Sequence, residues 1–342
     1  MNISNNRVLN LNKRQPHREH DRFYNYPGEV VSHVFWRSVY MYLTSYAQRA
    51  AAARLMKEHH VPYTFQVADH ITWIGHASFL ISIAGYTILT DPVFGDLTFL
   101  LQRFSKPGIA FEKLPNIDIV LLSHNHRDHM DSATLKALFA KTSCHFYVPW
   151  GDKAWFDRQF GPQASNRVTE CMWWQEVMHE DLKLTFLPAR HWSQRGLFDR
   201  NKSLWGSWMI HDTLYFAGDT AYTDHFKEIA ACFPAIEVAL LPIGPCEPRA
   251  WMAATHMNAE DAGKAFLDLK ARIFIPMHWG TYGFGIDDLM LPIVRLKSWW
   301  KEQNIETPER ILSILACGQS HFLTHLSRVS PFIAQKSGLA LR

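Results

Sequence analysis

Three histidines and one aspartate lie within a run of six residues: His124, His126, Asp128 and His129. Imidazole and carboxylate side chains together suit zinc, iron or manganese. Three imidazoles this close would repel one another once protonated, whereas a bound cation requires them to be neutral. The run directly follows the apolar stretch 117–122, and loops at strand ends are where α/β folds carry their chemistry. The spacing therefore predicts a metal site.

Three later residues extend this set, and each follows a strand-like apolar run. They are His191, Asp219 and His278, after the runs 182–187, 214–217 and 272–277. Any one of them alone could equally be an ordinary surface or core residue. Seven ligands exceed the four bonds of one zinc ion but suit two metals that share a bridging carboxylate. We therefore expect two divalent metal ions, with Zn²⁺ as the first choice and Mn²⁺ or iron as alternatives.

The hydrophobic pattern predicts the elements that would position these residues. Short apolar runs predict strands at 72–74, 79–83, 86–89, 117–122, 182–187, 204–210, 214–217, 238–243 and 272–277. Helices are predicted at 134–141, 151–160, 222–232, 259–270 and 287–303. Hairpins first, followed by alternating strands and helices, indicate an α/β sandwich with the sheets inside and the helices outside.

Residues 1–62 differ in character from the rest, and we separate them from a folded domain at 63–342. Residues 1–28 are polar and predicted to be irregular, whereas 29–58 have helical, amphipathic character. Residues 1–60 hold nine Lys/Arg and four Asp/Glu, a net charge of +5, so the remaining chain carries −2 of the total of +3. The segment 29–58 could lie on an anionic membrane surface. It could instead pack on the core or on a second copy of the chain.

Composition argues against several classes of protein. A net charge of +3 in 342 residues makes no electrostatic case for nucleic-acid binding. The five cysteines include no CxxC pair, so we expect neither a disulfide framework nor a cysteine zinc site. The first 25 residues contain no apolar signal-peptide core, and no run of about 18 apolar residues could span a bilayer. We therefore expect a cytoplasmic location, at most peripheral on a membrane.

The motif His-x-His-x-Asp-His after a buried strand resembles that of the metallo-β-lactamase superfamily. The wider sequence is similar to the N-acylphosphatidylethanolamine-hydrolysing phospholipases D and their bacterial relatives over roughly residues 64–325. The similar stretches are 73–78, 89–94, 122–128, 173–176, 188–192, 204–208, 216–220, 242–244, 247–249 and 278–281. The metal motif alone specifies only the superfamily. Trp-Gly-Ser-Trp and Glu-Pro-Arg, which lie within these stretches, are shared by a much narrower group of proteins.

The resemblance implies a fold, a ligand set and an activity. The fold would be an αββα sandwich with the metals at one edge of the sheets. His124, His126 and His191 would hold one metal, Asp128, His129 and His278 the other, and Asp219 would bridge them. The activity would be hydrolysis of (N-acyl)phosphatidylethanolamine-type phospholipids to phosphatidic acid and N-acylethanolamine. Phospholipid would be the partner, and a homodimer is left open.

Asp128 and His256 are the candidate catalytic residues. Asp128 would face the metals and orient the attacking water. His256 lies just before a predicted helix whose N-cap is Asn258. It could stabilise the phosphorane or protonate the leaving alkoxide. The resemblance supports this role, because a histidine at this point lines the family's site, and the alternative is an exposed loop histidine.

Three further residues are candidates for supporting the metals or the substrate. Asp91 could orient a ligand imidazole, or it could form an Asx turn before Pro92. His76 could lie behind the ligands or merely pack in a strand. Arg249 could contact the phosphate, although an arginine in a turn is as often only a surface charge.

Other functions stay open at this point. A lactonase or a nuclease of the same fold would use a similar metal centre. A nuclease should show a basic surface for its substrate, yet the chain beyond residue 60 carries a net charge of −2. A lactonase pocket should be polar, yet tryptophans adjoin these ligands. A non-catalytic lipid-binding protein on a decayed scaffold is a further alternative, against which the intact set of seven ligands argues.

Overall fold

The computed structural model describes residues 7–8, 13–25, 56, 59–99 and 101–323. Within these residues the chain forms an eight-stranded sheet, a seven-stranded sheet and a two-stranded hairpin. The two large sheets pack face to face, and their side chains form a shared core.

The seven-stranded sheet is built from the first half of the chain and one strand near the end. In spatial order its strands are β17 (Ser320–Phe322), β4 (His70–Gly75), β5 (Ser78–Ile83), β6 (Tyr86–Thr90), β7 (Ile119–Leu121), β8 (His145–Pro149) and β9 (Val168–Cys171). Strands β4 to β6 are antiparallel neighbours, whereas β6 to β9 are parallel. The carboxyl ends of β6 and β7 therefore meet at one edge of this sheet.

The eight-stranded sheet carries most of the second half of the chain. In spatial order its strands are β1 (Arg7–Val8), β10 (Gln175–His179), β11 (Leu182–Leu187), β12 (Ser207–Ile210), β13 (Leu214–Phe216), β14 (Val238–Pro242), β15 (Ile273–Met277) and β16 (Ile311–Leu312). Strands β13 to β16 are parallel, and the antiparallel β12 separates β11 from β13. Strands β11, β13 and β15 therefore all end at the same edge.

Helices cover the outer faces of both sheets. The helices of the described residues are α1 (Ser132–Lys141), α2 (Lys153–Phe160), α3 (His225–Cys232), α4 (Arg249–Met252), α5 (Ala259–Leu269) and α6 (Leu291–Glu302). Of these, α4 is a single turn in the loop between β14 and α5. On the eight-stranded sheet, the ring centroid of Phe266 in α5 lies 5.4 Å from Phe274 in β15 and 5.4 Å from Trp300 in α6. The predicted αββα sandwich is thereby confirmed.

Side chains alternate between two cores along the strands of the seven-stranded sheet. In β5, Phe79 and Ile81 belong to the core shared with the other sheet. Leu80, between them, packs on the opposite face with Leu135 of α1 and Phe156 of α2. This alternation follows from the two-residue period of a strand, and both faces are apolar because both are covered.

The structure differs from the predicted elements mainly at short strands. Residues 1–28, predicted to be irregular, contain β1 and a hairpin of β2 (His17–Glu19) and β3 (Arg22–Tyr24). The prediction also misses β8, β9 and β10. β1, β2 and β3 have only two or three residues, too few to show a period. β8, β9 and β10 each include polar residues, and pairing with their neighbours decides them.

The segment 29–58, predicted to contact a membrane, the core or a second copy of the chain, lies outside the described residues except for Met56. Met56 is fully buried, and its side chain lies against Gly280. In the described part of the chain, no helix combines the length and apolar character needed to cross a membrane. The division into residues 1–62 and 63–342 stays a prediction.

Candidate metal centre

The loop after β7 carries the first four candidate ligands. β7 is wholly buried and ends at Leu121, and the loop that carries the ligands begins two residues later at Ser123. The backbone N–H groups of His129 and Met130 both donate to the carbonyl oxygen of His126, at 3.1 and 2.8 Å, and fold the loop into a tight turn. Asp131 then caps the amino end of α1. A short, doubly anchored loop thus presents the cluster at the edge where the strands end.

Three imidazoles form the first group of the centre. His126 Nδ1 lies 2.8 Å from His124 Nε2 and 3.2 Å from His191 Nε2. Two of the three rings are held from behind. His124 Nδ1 lies 2.9 Å from Ser123 Oγ, and His191 Nδ1 lies 2.9 Å from the carbonyl oxygen of Thr255. Among the described residues, the far nitrogen of His126, Nε2, is buried without a hydrogen-bond partner. Three ring nitrogens that converge, two of them on rings fixed from the far side, have the geometry of a three-histidine metal site.

Asp128, His129 and His278 form a second group. His129 Nε2 lies 3.3 Å from Asp128 Oδ2, and His278 Nε2 lies 3.8 Å from the same oxygen. The backbone of His278 has φ 60°, in the left-handed region, and its N–H donates to the carbonyl oxygen of His76 at 3.1 Å. Non-glycine residues held in this region cluster at functional sites.

Asp219 lies between the two groups. Its Oδ2 is 3.2 Å from His129 Nε2 and 3.8 Å from His191 Nε2, and its Oδ1 is 3.1 Å from His278 Nε2. The preceding Gly218 has φ +57°, and a Cβ there would lie 2.4 Å from Ser123 Cβ. Glycine therefore allows the loop after β13 to approach the loop after β7. All seven sequence-predicted ligands come together at this point.

The donor atoms fit divalent metal ions. Among the described residues, His129 Nε2, His278 Nε2 and Asp219 Oδ1 are buried without a hydrogen-bond partner. Buried polar atoms are normally paired. Yet His278 Nε2 and Asp219 Oδ1 lie only 3.1 Å apart and do not hydrogen-bond each other. Nitrogen and oxygen atoms that crowd together in this way match ligands that share a cation.

The electrostatics of the centre favour the same interpretation. Burial lowers the pKa of His124 and of His191 well below the ordinary value and keeps both in the neutral form that binds metal. Burial also lowers the pKa of His129, but the charges of Asp219 and Asp128 outweigh it and hold that pKa well above the ordinary value. In the described part of the chain, both carboxylates form ion pairs only with histidines. Two neighbouring carboxylates with so little exposure to solvent require compensating positive charge, which divalent ions would supply.

Asp91 supports His129 from behind. It is fully buried at the end of β6, and its Oδ2 lies 2.7 Å from His129 Nδ1. Its Oδ1 accepts a hydrogen bond from the backbone N–H of Ser123 at 2.7 Å. A carboxylate in this position fixes the tautomer of the ring and leaves the Nε2 lone pair facing the centre.

His76 lies beside the second group. Its Nε2 is 3.0 Å from Asp128 Oδ2, and its ring centroid is 3.9 Å from that of His278. The rings of Tyr282 and Phe284 lie 5.2 and 5.6 Å from the ring of His76. These aromatic rings form a wall on this side of the centre.

His256 lies next to Asp219, and Arg249 lies behind His256. Within the described residues, His256 Nδ1 is buried without a hydrogen-bond partner, 3.7 Å from Asp219 Oδ2. The side chain of Asn258 accepts from the N–H of Asp261 at 2.9 Å, which confirms the predicted cap of α5. The guanidinium of Arg249 donates to the carbonyl oxygen of His256 at 2.8 Å and pairs with the carboxylate of Asp261. Arg249, considered above for phosphate contact, therefore holds the turn that carries His256.

Sequence reasoning missed Arg195, four residues after His191. Its guanidinium donates to the carbonyl oxygens of Asn125 and Met130, at 3.1 and 2.6 Å, and to Ser132 Oγ at 2.6 Å. It thereby ties together both ends of the loop that carries four candidate ligands. No local pattern marks such a residue, because an arginine in a polar loop is ordinary and its main partners are backbone carbonyls.

Comparison with known proteins shows what this chain is similar to. A family model described as "Beta-lactamase superfamily domain" matches residues 86–279. N-acyl-phosphatidylethanolamine-hydrolyzing phospholipase D 1 of Caenorhabditis elegans is 35% identical over 235 residues, 64% of this chain and 66% of that protein. The mitochondrial N-acyl-phosphatidylethanolamine-hydrolyzing phospholipase D of Saccharomyces cerevisiae is 32% identical over 249 residues, 67% of this chain and 52% of that protein. The chain thus spans less than two thirds of the length of these curated relatives.

Among solved structures, a metallo hydrolase from the archaeon Ignicoccus hospitalis is similar. The TM-score is 0.56 at 20% sequence identity, over 75% of this chain and 98% of that chain. At this identity the likeness shows the fold alone, and it agrees with the two packed sheets described above.

Proposed function

The chain belongs to the metallo-β-lactamase superfamily of metal-dependent hydrolases, and from this premise we propose that it hydrolyses the phosphodiester of N-acylphosphatidylethanolamine-type phospholipids. The products are phosphatidic acid and an N-acylethanolamine. One observation carries the proposal. Seven candidate ligands converge in a chain that is 35% and 32% identical to two proteins named as such phospholipases.

We assign two divalent ions to the centre, with zinc as the first choice. The first ion would be held by His124, His126 and His191, the second by Asp128, His129 and His278, and both by Asp219. Five imidazoles and two carboxylates match the nitrogen and oxygen ligands that zinc takes in proteins. When bound, such a pair lowers the pKa of coordinated water and neutralises charge on phosphoryl oxygens.

The chain's own residues orient the reactants around this centre. Asp128 is placed to accept a hydrogen bond from the attacking water, and His76 holds its Oδ2 at 3.0 Å. The ring of His256 lies 5.1 Å from His191 and 5.6 Å from His278. From there it is placed to donate a hydrogen bond to a phosphoryl or leaving-group oxygen.

The test uses purified protein with Zn²⁺ and a panel of phospholipids, a lactone and an oligonucleotide. Mass spectrometry identifies the products. We expect phosphatidic acid and N-acylethanolamine from the N-acylated lipid. Hydrolysis of the lactone or the oligonucleotide, without hydrolysis of any phospholipid, would contradict the proposed substrate class.

A matched pair of variants tests the centre itself. Asp219→Asn should abolish turnover, because it removes the negative charge between the two groups of ligands. Asp224→Asn changes an exposed aspartate before α3, with a side chain that is 77% exposed, and should retain turnover. Equal activity of the two variants would rule out Asp219 as a shared ligand.

A further inference from the structure

Large apolar side chains are exposed at the edge that carries the centre. Among the described residues, four large apolar side chains are more than 80% exposed: Phe99, Leu197 and Phe198 on loops at this edge, and Val67 at the opposite edge. Phe99 lies on the loop after β6, and Leu197 and Phe198 lie on the loop after β11. Ile286, which is 39% exposed, lies on the loop after β15. We call Phe99, Leu197, Phe198 and Ile286 the apolar rim. Their three loops leave the sheets beside Asp91, which supports His129, and beside the candidate ligands His191 and His278.

The loop 194–200 is held in a projecting form by its own hydrogen bonds. At its base, the backbone N–H of Asn201 donates to the carbonyl oxygen of Ser193 at 2.8 Å. Near its tip, the N–H of Gly196 donates to both carboxylate oxygens of Asp199, at 2.8 and 2.9 Å. In the loop that these bonds close, the adjacent side chains of Leu197 and Phe198 are exposed to solvent. Exposed apolar groups of this kind mark surfaces that become covered.

The same loop is connected to the centre and carries cationic groups. The ring of Trp192 lies 4.3 Å from the ring of His126, and the guanidinium of Arg200 lies 5.0 Å from the ring of Trp192. Arg127, next to His126 in the chain, is exposed. The cationic side chains beside the centre could contact lipid phosphates. The exposed apolar side chains farther out on the loop could then reach the acyl chains below the headgroups.

We propose that the apolar rim inserts into the surface of a phospholipid bilayer. The rim would hold the entrance to the candidate metal centre, which we call its mouth, against the headgroup layer. This rests on the proposed function, because a phospholipid can bring its phosphate to the buried centre only if its acyl chains leave through the mouth. The residues of the rim lie outside segment 29–58 of the sequence. Its contact is apolar, whereas contact through a basic segment would be mainly electrostatic and weakened by salt.

Partition of the full chain onto phosphatidylcholine vesicles, measured by sedimentation at low and high salt, tests the proposal. Leu197→Ser/Phe198→Ser should lower the partition coefficient about 30-fold, which is about 2 kcal/mol at 1.4 kcal/mol per tenfold. The loss should be similar at both salt concentrations, because burial of apolar surface supplies it. Since both side chains are more than 80% exposed, the variant should stay folded.

The matched control removes an exposed apolar pair at the opposite edge. Phe65 and Val67 are 66% and 91% exposed and precede the amino end of β4. Phe65→Ser/Val67→Ser should change the partition coefficient by less than about twofold, since these residues lie away from the mouth. A wild-type chain that does not bind vesicles, an unchanged rim variant, or an equal loss in the control would each overturn the proposal.

Three other outcomes separate this proposal from a dimer contact and from the proposed function. A rim variant that turns a dimer into a monomer, with unchanged vesicle partition, would assign the rim to a second copy of the chain and overturn the lipid contact. Partition loss confined to the rim variant, without phospholipid hydrolysis, would support the surface and refute the proposed substrate. Phospholipid hydrolysis with an unchanged partition coefficient would refute the surface and leave the function standing.

Discussion

Replacement of Asp91 by asparagine tests how the second group of ligands is held. Asp91 Oδ2 lies 2.7 Å from His129 Nδ1, and Oδ1 accepts the N–H of Ser123 at 2.7 Å. Asparagine has nearly the same shape and can keep the bond from Ser123 through its carbonyl oxygen. Its NH₂ group then faces His129 Nδ1, which must itself carry a proton if Nε2 is to bind a metal.

The NH₂ group of the asparagine and the Nδ1–H of His129 are both donors, so they cannot form a hydrogen bond with each other. If His129 keeps its proton on Nδ1, the variant loses a hydrogen bond to a charged group, worth roughly 1.5–3 kcal/mol. If the proton moves to Nε2 instead, that nitrogen can no longer bind a metal. Loss of such a supporting carboxylate typically lowers metal affinity about 10–100-fold. We therefore expect a fall of that size for the ion that we assign to Asp128, His129 and His278.

Competition between the protein and a chelator for Zn²⁺ measures this affinity. Asp118→Asn is the matched control, because Asp118 accepts the N–H of Thr87 at 2.8 Å at the amino end of β7, away from the centre. The asparagine there keeps an acceptor for the same bond. The reasoning is refuted if folded Asp91→Asn protein binds two Zn²⁺ ions with affinities within about twofold of the wild type.

Three further predictions follow from the centre. Arg195→Met should weaken Zn²⁺ binding and lower the Tm. It removes two hydrogen bonds to the ligand loop and one to Ser132 at the start of α1, each worth roughly 1.5–3 kcal/mol when the donor is charged. Replacement of the exposed Arg158 by methionine is the control, and equal Tm values would contradict the role of Arg195. His256→Ala should slow phosphodiester hydrolysis by roughly 10²–10⁴ if His256 protonates the leaving group, and the loss should shrink for a better leaving group. An equal loss for both substrates would remove that role. Removal of metal by a chelator should abolish hydrolysis and lower the Tm, with recovery of both on addition of Zn²⁺, and full activity in chelator would contradict metal dependence.

The candidate ligands are predictable because metal-binding residue types stand directly after apolar runs. The run 182–187 is a strand with the predicted bounds, and the chain turns from it to His191. The run 272–277 contains β15, and His278 follows its last residue. Strands in which apolar residues predominate can be recognised along the chain, so these two strands and the residues that follow them can be found without knowledge of the fold.

Other features depend on contacts that distance along the chain conceals. β8 begins at the polar His145 and ends at Pro149, and pairing with β7 makes it a strand without any period in its sequence. Asn25 lies 166 residues before His191, yet its side-chain amide donates to the carbonyl oxygen of His191 at 2.7 Å. A residue of this kind becomes recognisable only when the fold brings the two segments together.

Hydrolysis of an N-acylphosphatidylethanolamine in oxygen-18 water tests the proposed reaction most directly. If water attacks phosphorus and the headgroup alkoxide leaves, mass spectrometry should find the label in phosphatidic acid and none in the N-acylethanolamine. Phosphorus is the atom that two cations activate best, so attack there is expected. Label in the N-acylethanolamine, or diacylglycerol as the lipid product, would contradict this cleavage and with it the assignment of a phospholipase D activity.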